Sequence, residues 1–377
     1  MIYLDYAATT PLNEDVKNTY FKLLEKYFYN SDSIYKQGLE VDALQEKSRQ
    51  NLSDMLGCKN NELIFTSCGS EANNLAIKGI AFRYRNRGNH IITTCNEHSS
   101  IFEACKELER VFNYEVTYLP VDHNGCVNIE DLKNSIKENT ILVSVMQVNN
   151  EIGSINNINE IGKYLKQFPT IIFHSDMVQA LGKLNIDLKY VDLASFSAHK
   201  INGLKGSGLL YKSSHIDIVP LISGGQQEFN LRAGTSNACN NIVFSKTMRL
   251  ALQDLDKKYQ KLTEINDYLR LKLNDLSVVV NSDKDKCIAS IINVSLPGYK
   301  PEVILHYLES KDILISTRSA CSSKTTSVSR VLANMDLKDE VASSAIRISL
   351  SYQTSKEDID TLIKYLKKAM EDLKRVD

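Results

Sequence analysis

Short, largely apolar runs rich in β-branched side chains alternate with stretches of helical periodicity between residues 60 and 215. The strand-like runs are residues 62–66, 90–94, 141–145, 170–174 and 193–197. Most lack a clear two-residue alternation of apolar and polar side chains, which is typical of strands covered by helices on both faces. A helical pattern over 71–84 follows the first run. The alternation predicts an α/β fold built on a mostly parallel sheet.

The pattern changes after residue 255. Apolar residues spaced three and four apart predict an amphipathic helix over 256–276. The segments that follow are strand-like runs at 288–296, 313–316 and 346–350 and a helix near 302–309. The last helix begins at Ser355, where Asp358 three residues later completes a capping box.

The length of 377 residues exceeds what a single compact core usually holds. We therefore predict two domains, divided where the pattern changes. The large α/β domain covers residues 11–255. The smaller α+β domain combines residues 1–10 with residues 256–377.

The charges of the chain are nearly balanced, with 45 basic and 46 acidic residues. This balance argues against a broad surface for binding nucleic acid or an anionic membrane. The first residues show no basic segment followed by a long apolar run, and no apolar stretch approaches the roughly 20 residues that span a bilayer. We expect a soluble, cytoplasmic protein with neither nucleic acid nor membrane as a direct partner.

The eight cysteines form no Cys-x-x-Cys pair, and the seven histidines form no His-x-x-x-His pair. These spacings predict that the chain has no zinc site. In a reducing compartment most of the thiols should behave as small buried apolar side chains. A cysteine with a chemical role has to be identified by its surroundings.

Polar residues follow three of the predicted strands, and ligands in open α/β sheets bind beyond the carboxyl ends of strands. Asp176 and Lys200 follow two successive strands, and the small-residue turn 67–70 leads into the first helix. Taken singly, the acid and the turn are equally typical of a helix cap and a plain tight turn, and a lysine at a strand end usually faces solvent. Together they supply a carboxylate, an amine and a phosphate-binding turn, which is the set that pyridoxal phosphate requires.

Five ordered segments resemble one known family, and they are residues 4–11, 149–153, 195–200, 232–235 and 319–321. The family is that of cysteine desulfurases of the iron–sulfur-assembly and nitrogen-fixation type, within the class V aminotransferase group. The resemblance runs from residue 4 to the segment around Arg347. It implies a fold-type I pyridoxal-phosphate enzyme with a seven-stranded sheet, acting as a homodimer.

The resemblance also implies the chemistry. L-cysteine would give up its sulfur, leaving L-alanine and a persulfide on Cys321 that passes to a sulfur-acceptor protein. The acceptor could belong to iron–sulfur cluster assembly, transfer-RNA thiolation or thiazole synthesis. Lys200 would hold pyridoxal 5'-phosphate as a Schiff base, Asp176 would pair with its ring nitrogen, and His98 would stack on the ring.

The remaining site residues implied by the resemblance contact the cofactor or the substrate. Gln179 would bond the ring hydroxyl, and Asn150 and Arg347 would bind the substrate carboxylate, with Asn150 also at the cofactor. The residues implied for the phosphate are Gly69, Ser70, Ser197, His199 and, for the phosphate of the neighbouring subunit, Thr235.

Cys321 lies in a polar, hydroxyl-rich stretch, residues 316–327, which predicts an exposed loop. Arg318 and Lys324 would favour its thiolate, the nucleophilic form. The chain departs from the family pattern at Ser31, Tyr35 and Gln226 and just after Cys321. These departures concern the loops and the sulfur acceptor more than the chemistry.

Two other interpretations remain open at this point. A selenocysteine lyase, or a lyase or transaminase acting on another amino acid, would use Lys200, Asp176 and Arg347 in the same way, so that only Cys321 discriminates. A non-catalytic scaffold or sulfur-relay subunit is the other alternative. The intact pair of Lys200 and Asp176 argues against it.

Overall fold

The computed structural model describes residues 1–317 and 329–373. The strands in chain order are β1 (Ile2–Tyr3), β2 (Leu63–Thr66), β3 (His90–Thr94), β4 (Glu115–Leu119), β5 (Thr140–Ser144), β6 (Ile172–Asp176), β7 (Leu193–Ser197), β8 (Gly208–Lys212), β9 (Val279–Val280), β10 (Ile291–Ser295), β11 (Ile313–Leu314) and β12 (Ala345–Ser349).

The helices alternate with these strands. In chain order they are α1 (Glu14–Lys26), α2 (Lys36–Leu56), α3 (Gly69–Tyr84), α4 (Ser99–Phe112), α5 (Ile129–Ser135), α6 (Ile158–Leu165), α7 (Gln227–Asn230), α8 (Ala238–Leu252), α9 (Leu255–Leu273), α10 (Pro301–Glu309), α11 (Arg330–Ala333), α12 (Asp339–Ser343) and α13 (Lys356–Asp372). A short 3₁₀ turn, Ala198–Lys200, directly follows β7. No helix in the described ranges is long and apolar enough to cross a membrane.

A seven-stranded sheet organises the described part of the chain before residue 255, with strand order β2-β8-β7-β6-β5-β3-β4. Its strands are parallel except for β8, which runs antiparallel to β2 and β7. Side chains of one strand enter two different apolar cores, since Leu193 joins one cluster and Ala194 and Phe196 the other. The prediction of a mostly parallel sheet covered on both faces is therefore confirmed.

The strand predictions agree with this sheet to within two residues at every boundary. Two strands were not predicted. β4 lies at an edge of the sheet, and Glu115 at its start is exposed, so that it lacks the apolar signal of a buried strand. β8 is fully buried, and its apolar centre, residues 209–211, is a signal that sequence reasoning could have used.

A second, smaller sheet is formed by β9, β10 and β12, all antiparallel to their neighbours. Helices α9, α10 and α13 pack on it around one apolar cluster that includes Leu269, Ile292 and Leu366. The start of the chain lies beside this part, because β1 pairs with β11 and Leu4 joins the same cluster. The predicted domain boundaries, 11–255 against 1–10 with 256–377, stay a prediction.

The capping box predicted for the last helix is present. The Ser355 hydroxyl accepts from the Asp358 N–H at 3.1 Å, and the Asp358 carboxylate accepts from the Ser355 N–H at 2.9 Å. We expect Ser355→Ala to lower the free energy of unfolding by about 1 kcal/mol, because a helix donor loses its acceptor. Chemical denaturation measures the change. Ser355→Thr, which keeps the hydroxyl, should retain most of the stability, and equal losses in both variants would contradict the capping role.

Candidate active site

One cavity, of about 270 Å³, lies at the carboxyl ends of β6 and β7. It brings together residues that are far apart in the chain. The predicted site residues that line it are Gly69, Ser70, His98, Asn150, Asp176, Gln179, Ser197, His199, Lys200 and Arg347. Their roles stay predictions, but the structure gathers them around a single space.

Two predicted site residues stand apart from this cavity. Thr235 is exposed and does not line it, which fits a residue that was expected to act on a neighbouring subunit. Cys321 lies outside the described residues.

Asp176 ends β6 and is buried at the cavity wall. One carboxylate oxygen accepts from the Val178 N–H at 2.9 Å, and the other accepts from the side-chain amide of Asn73 at 2.7 Å. These two bonds fix the direction of the carboxylate. Asn73 was not predicted, although it lies one helical turn after Gly69 and therefore on the same side of α3.

Lys200 ends the short turn after β7. Its ammonium donates to the carbonyl oxygens of Ala7 at 2.5 Å and Ala8 at 2.7 Å. The side-chain amide of Gln179 also donates to the Ala7 oxygen, at 2.9 Å. Ala7 and Ala8 thus supply acceptors to Lys200 and Gln179, the cavity residues expected at the aldehyde carbon and the ring hydroxyl of the cofactor.

His98 is the N-cap of α4, and its Nδ1 accepts from the Ser100 N–H at 3.2 Å. Burial lowers the pKa of His98, which favours the neutral ring at neutral pH. Because the backbone N–H of Ser100 can only donate, the proton of the neutral ring is on Nε2. The Ser100 hydroxyl lies 2.8 Å from Nδ1 and accepts from Asn73 at 2.9 Å, so one chain of contacts joins His98 to Asp176.

The start of α3 has the features of a phosphate site. Its N-cap, Cys68, makes no side-chain capping bond, so the first N–H groups of the helix are not capped by it. A Cβ on Gly69 would come within 2.9 Å of the Val178 side chain, so this close approach requires glycine. The hydroxyl of Ser197 is buried beside it with no hydrogen-bond partner in the described part of the chain, and a phosphate oxygen would supply one.

His199 lies next to this turn and shares a contact of 3.1 Å between its Nδ1 and the Thr9 hydroxyl. Burial and the positive charge of Lys200 lower the pKa of His199 to about 4. The ring is therefore neutral at neutral pH. It can serve a phosphate as a single hydrogen-bond donor rather than as a cation.

Arg347 reaches the cavity from β12 of the smaller sheet and is fully buried. Its guanidinium donates to the Asn150 carbonyl oxygen at 2.7 Å and to the Asp5 carboxylate at 2.7 Å. The Nε–H is buried without a partner among the described residues. A buried cation with an unused donor suits a carboxylate ligand, since guanidinium and carboxylate can pair through two bonds.

Glu97 and Arg330 were missed by sequence reasoning. Glu97 is buried next to His98, and its carboxyl accepts from the Met146 N–H at 2.8 Å. Burial raises the pKa of Glu97 from about 4.5 to about 8, so that the carboxyl is protonated at neutral pH. Arg330 donates to the carbonyl oxygens of Cys95 and Glu97 and packs 3.7 Å from the centre of the Phe102 ring. No motif in the sequence marks either residue, because Glu97 is distinguished by its burial and Arg330 by contacts with residues far away in the chain.

The comparisons with known proteins agree on one group. The model of the aminotransferase class-V family matches residues 2–362. A protein of Dictyoglomus turgidum named cysteine desulfurase IscS is 41% identical over 100% of this chain and 96% of its own. A NifS/IcsS protein homolog of Lactobacillus delbrueckii is 41% identical over 96% of this chain and 95% of its own.

Solved structures show the same likeness. A structure described as a NifS-like protein superimposes with a TM-score of 0.93 and 31% identity, over 99% of this chain and 100% of that chain. A second, a NifS-like protein from Rickettsia africae, has a TM-score of 0.88 and 30% identity over 98% and 99%. The fold and the sequence therefore point to the same family over nearly the whole chain.

The burial of the Glu97 carboxyl leads to a prediction about how the stability of the fold depends on pH. Between about pH 4.5 and pH 8 the folded chain keeps this proton and the unfolded chain releases it. Stability should therefore fall as the pH rises through this window, by at most about 1.4 kcal/mol per pH unit. We expect Glu97→Gln to remove this part of the slope in chemical denaturation at pH 5, 6, 7 and 8.

The matched control is Glu103→Gln, which neutralises an exposed carboxylate on α4. It should leave the slope close to that of the unchanged chain. An unchanged slope in Glu97→Gln would mean that the carboxyl is ionised in the folded state.

Proposed function

The chain belongs to the aminotransferase class-V family, and we propose that it is a cysteine desulfurase that uses pyridoxal 5'-phosphate to remove sulfur from L-cysteine. The resemblance noted in the sequence is confirmed by relatives named cysteine desulfurase that match nearly the whole chain. The observation that carries the proposal is the single cavity in which Asp176, Lys200 and Arg347 meet. An acid, an amine and a carboxylate-binding cation are the groups this chemistry needs.

The cavity has a matching group for each part of the cofactor. Lys200 would bind its aldehyde carbon, Asp176 would accept from the ring N–H, and the neutral His98 ring can lie against the ring face. The first N–H groups of α3 and the partnerless hydroxyl of Ser197 would take the phosphate. When bound, pyridoxal phosphate supplies an electron sink for the bonds at the substrate α-carbon.

Substrate binding falls to Arg347, which the smaller sheet brings in, and to Asn150, which follows β5 of the larger sheet. Arg347 and Asn150 would hold the carboxylate of cysteine, because Arg347 has an unused buried donor. Holding the carboxylate orients the α-hydrogen toward Lys200. The Lys200 amine, released when the substrate binds, takes this proton at Nζ and later returns it.

The sulfur step depends on Cys321. Its thiolate attacks the sulfur of the substrate, the bond between that sulfur and the β-carbon breaks, and a persulfide forms on Cys321. The β-carbon keeps the electron pair and is protonated, which completes L-alanine. No outside oxidant is needed, because the β-carbon takes both electrons of the broken bond and is reduced as the transferred sulfur is oxidised.

The described residues at both ends of the segment 318–328 support this role. Before it, the Ser316 N–H donates to the Arg347 carbonyl oxygen at 3.1 Å. After it, the Ser329 hydroxyl donates to the Glu151 carboxylate at 2.5 Å, and Arg330 donates to the Glu97 carbonyl oxygen at 2.6 Å. The segment that contains Cys321 thus begins and ends beside elements that bear cavity residues.

We further propose that the chain acts as a homodimer and hands its sulfur to an acceptor protein. The exposed Thr235, away from its own cavity, supports a role at a neighbouring copy's phosphate. Nearby, the Arg232 guanidinium pairs with Glu71 of α3 at 2.9 Å, which ties this segment to the helix that begins at the cavity.

The first test of the function concerns Cys321. We expect Cys321→Ala to bind cofactor and cysteine as before but to lose sulfide release with dithiothreitol by at least about 100-fold, because no thiolate receives the sulfur. Sulfide release and cofactor absorbance measure the two properties. The matched control is Cys58→Ala, which removes a thiol outside the cavity and should keep full activity.

Undiminished sulfide release in Cys321→Ala would overturn the desulfurase proposal. If Cys321→Ala lost its activity with cysteine but still turned over selenocysteine, the result would favour a selenocysteine lyase.

The second test separates an enzyme from a non-catalytic scaffold. Purified protein should be yellow and carry a linkage that borohydride reduces onto Lys200, found by mass spectrometry. Lys200→Ala should lose this linkage completely, because no other amine is expected to take its place. Lys205→Ala, which removes an exposed lysine on the next loop, should keep it. A colourless protein that takes up no added pyridoxal phosphate would favour the scaffold.

A further inference from the structure

A second cavity lies where the larger and smaller sheets meet, and we call it the junction cavity. It shares Lys200 with the active-site cavity and is bounded by the turn after β6, helices α8 and α9, and the residues after β12. Its volume is about 80 Å³, enough for a ligand of a few heavy atoms. The function proposed above makes no use of it.

The lining of the junction cavity is positively charged. The described residues that line it include Lys183, Lys200 and Lys258 but no aspartate or glutamate. Lys183 donates to the backbone and side-chain oxygens of Gln179 at 3.1 and 3.2 Å. Lys258 donates to the carbonyl oxygens of Leu250 and Ala251 at 2.6 and 3.4 Å.

These acceptors are neutral, so they satisfy hydrogen bonds without cancelling charge. Over residues 1–317 and 329–373, the hydrogen bonds of Lys183 and Lys258 go to these neutral oxygens. Burial, with the charge of Lys200, lowers the pKa of Lys183 to about 7, and burial lowers the pKa of Lys258. Charged amines held this way gain from a nearby anion, because it would offset the cost of their burial.

A buried hydroxyl at the same cavity lacks a partner. Ser290 is 2% exposed, and its Oγ has no hydrogen-bond partner among the described residues. Buried hydroxyls are nearly always paired in folded proteins, so an unpaired one that lines a cavity indicates a ligand or water. The Ser290 hydroxyl and the two lysines are all hydrogen-bond donors, and no acidic residue of the described lining competes for them.

Uncharged polar residues such as Thr247 and Asn202 form part of the remaining lining, and its apolar part includes Leu250, Leu255 and Leu262. A fully hydrated inorganic anion would leave these side chains unused. A carboxylate with a short hydrocarbon body uses both parts of the surface, since the apolar atoms leave water while the charged end meets the lysines.

We propose that the junction cavity binds a small organic monocarboxylate, with Lys183, Lys258 and Ser290 around its carboxylate. The bound carboxylate favours the charged form of Lys183 and so strengthens its bonds to Gln179. Gln179 lines the active-site cavity and donates to the same Ala7 oxygen as Lys200. The coupling to the active site rests on the function proposed above, but the binding itself does not.

The test uses the full chain as purified with its cofactor and butyrate as the probe. Isothermal titration calorimetry should show one butyrate site. We expect Lys258→Met to weaken it by on the order of 10-fold, because a charged hydrogen-bond donor is lost. The matched control is Lys257→Met, which removes an exposed lysine that does not line the cavity and should change the affinity less than about 2-fold.

A second variant keeps the test decisive if the first one folds poorly. Ala251→Leu fills the cavity without removing a charged side chain and should also abolish the binding of butyrate. Thermal unfolding checks that each variant is folded. L-cysteine should still be bound by both variants, because neither residue lines the active-site cavity.

Three outcomes would overturn the proposal. If butyramide bound with the same affinity as butyrate, the cavity would not recognise charge. If phosphate bound with the same affinity as butyrate, the cavity would not recognise the hydrocarbon body. Butyrate binding that survives both Lys258→Met and Ala251→Leu would place the anion elsewhere, at Arg347 for example. If the unsubstituted protein showed no desulfurase activity, that result would contradict the proposed function. The result for butyrate binding would still stand.

Discussion

The hydrogen bonds made by residues 5–8 are the contacts on which the rest of the site depends. The carbonyl oxygen of Ala7 accepts from both Lys200 and Gln179, which belong to the larger sheet. The same short segment is tied to the smaller sheet, because Asp5 pairs with Arg347 at 2.7 Å and the Ala7 N–H donates to the Ser349 hydroxyl at 2.9 Å. A segment only a few residues long thus holds the Lys200 amine and the Arg347 guanidinium in one frame.

Burial, more than charge pairing, controls the charge of the ionisable groups in and next to the cavity. Burial lowers the pKa values of His98 and His199 and raises that of Glu97, so all three are neutral at neutral pH. Neutral imidazoles beside Lys200 avoid repulsion between cations. The other acidic and basic residues among the described residues that line the cavity are Asp176, Lys200 and Arg347, and each comes from a different segment of the chain.

The carboxylate of Asp176 is oriented by neighbours that have no charge. Asn73 bonds it directly and also reaches Ser100, whose hydroxyl lies against Nδ1 of His98. Asn73 of α3 therefore joins the Asp176 carboxylate, at the end of β6, to the start of α4 through uncharged side chains.

The sequence predicted the class of fold, and its strand ends together with the family resemblance supplied most of the residues that line the active-site cavity. Continuous apolar runs predicted the buried strands, and the strand ends indicated Asp176 and Lys200, because strand periodicity and strand-end binding are local signals. The edge strand β4 was missed since its exposed side chains resemble those of a loop.

Only the tertiary structure decided the contacts between distant parts of the chain. Asn73, Glu97, Ser100 and Arg330 carry no motif, and their positions follow from burial and from bonds across many residues. The junction cavity is likewise invisible in the sequence, because its lysines lie in segments that meet only when the two sheets pack. Local patterns report what a segment prefers, whereas burial and electrostatic environment depend on which segments come together.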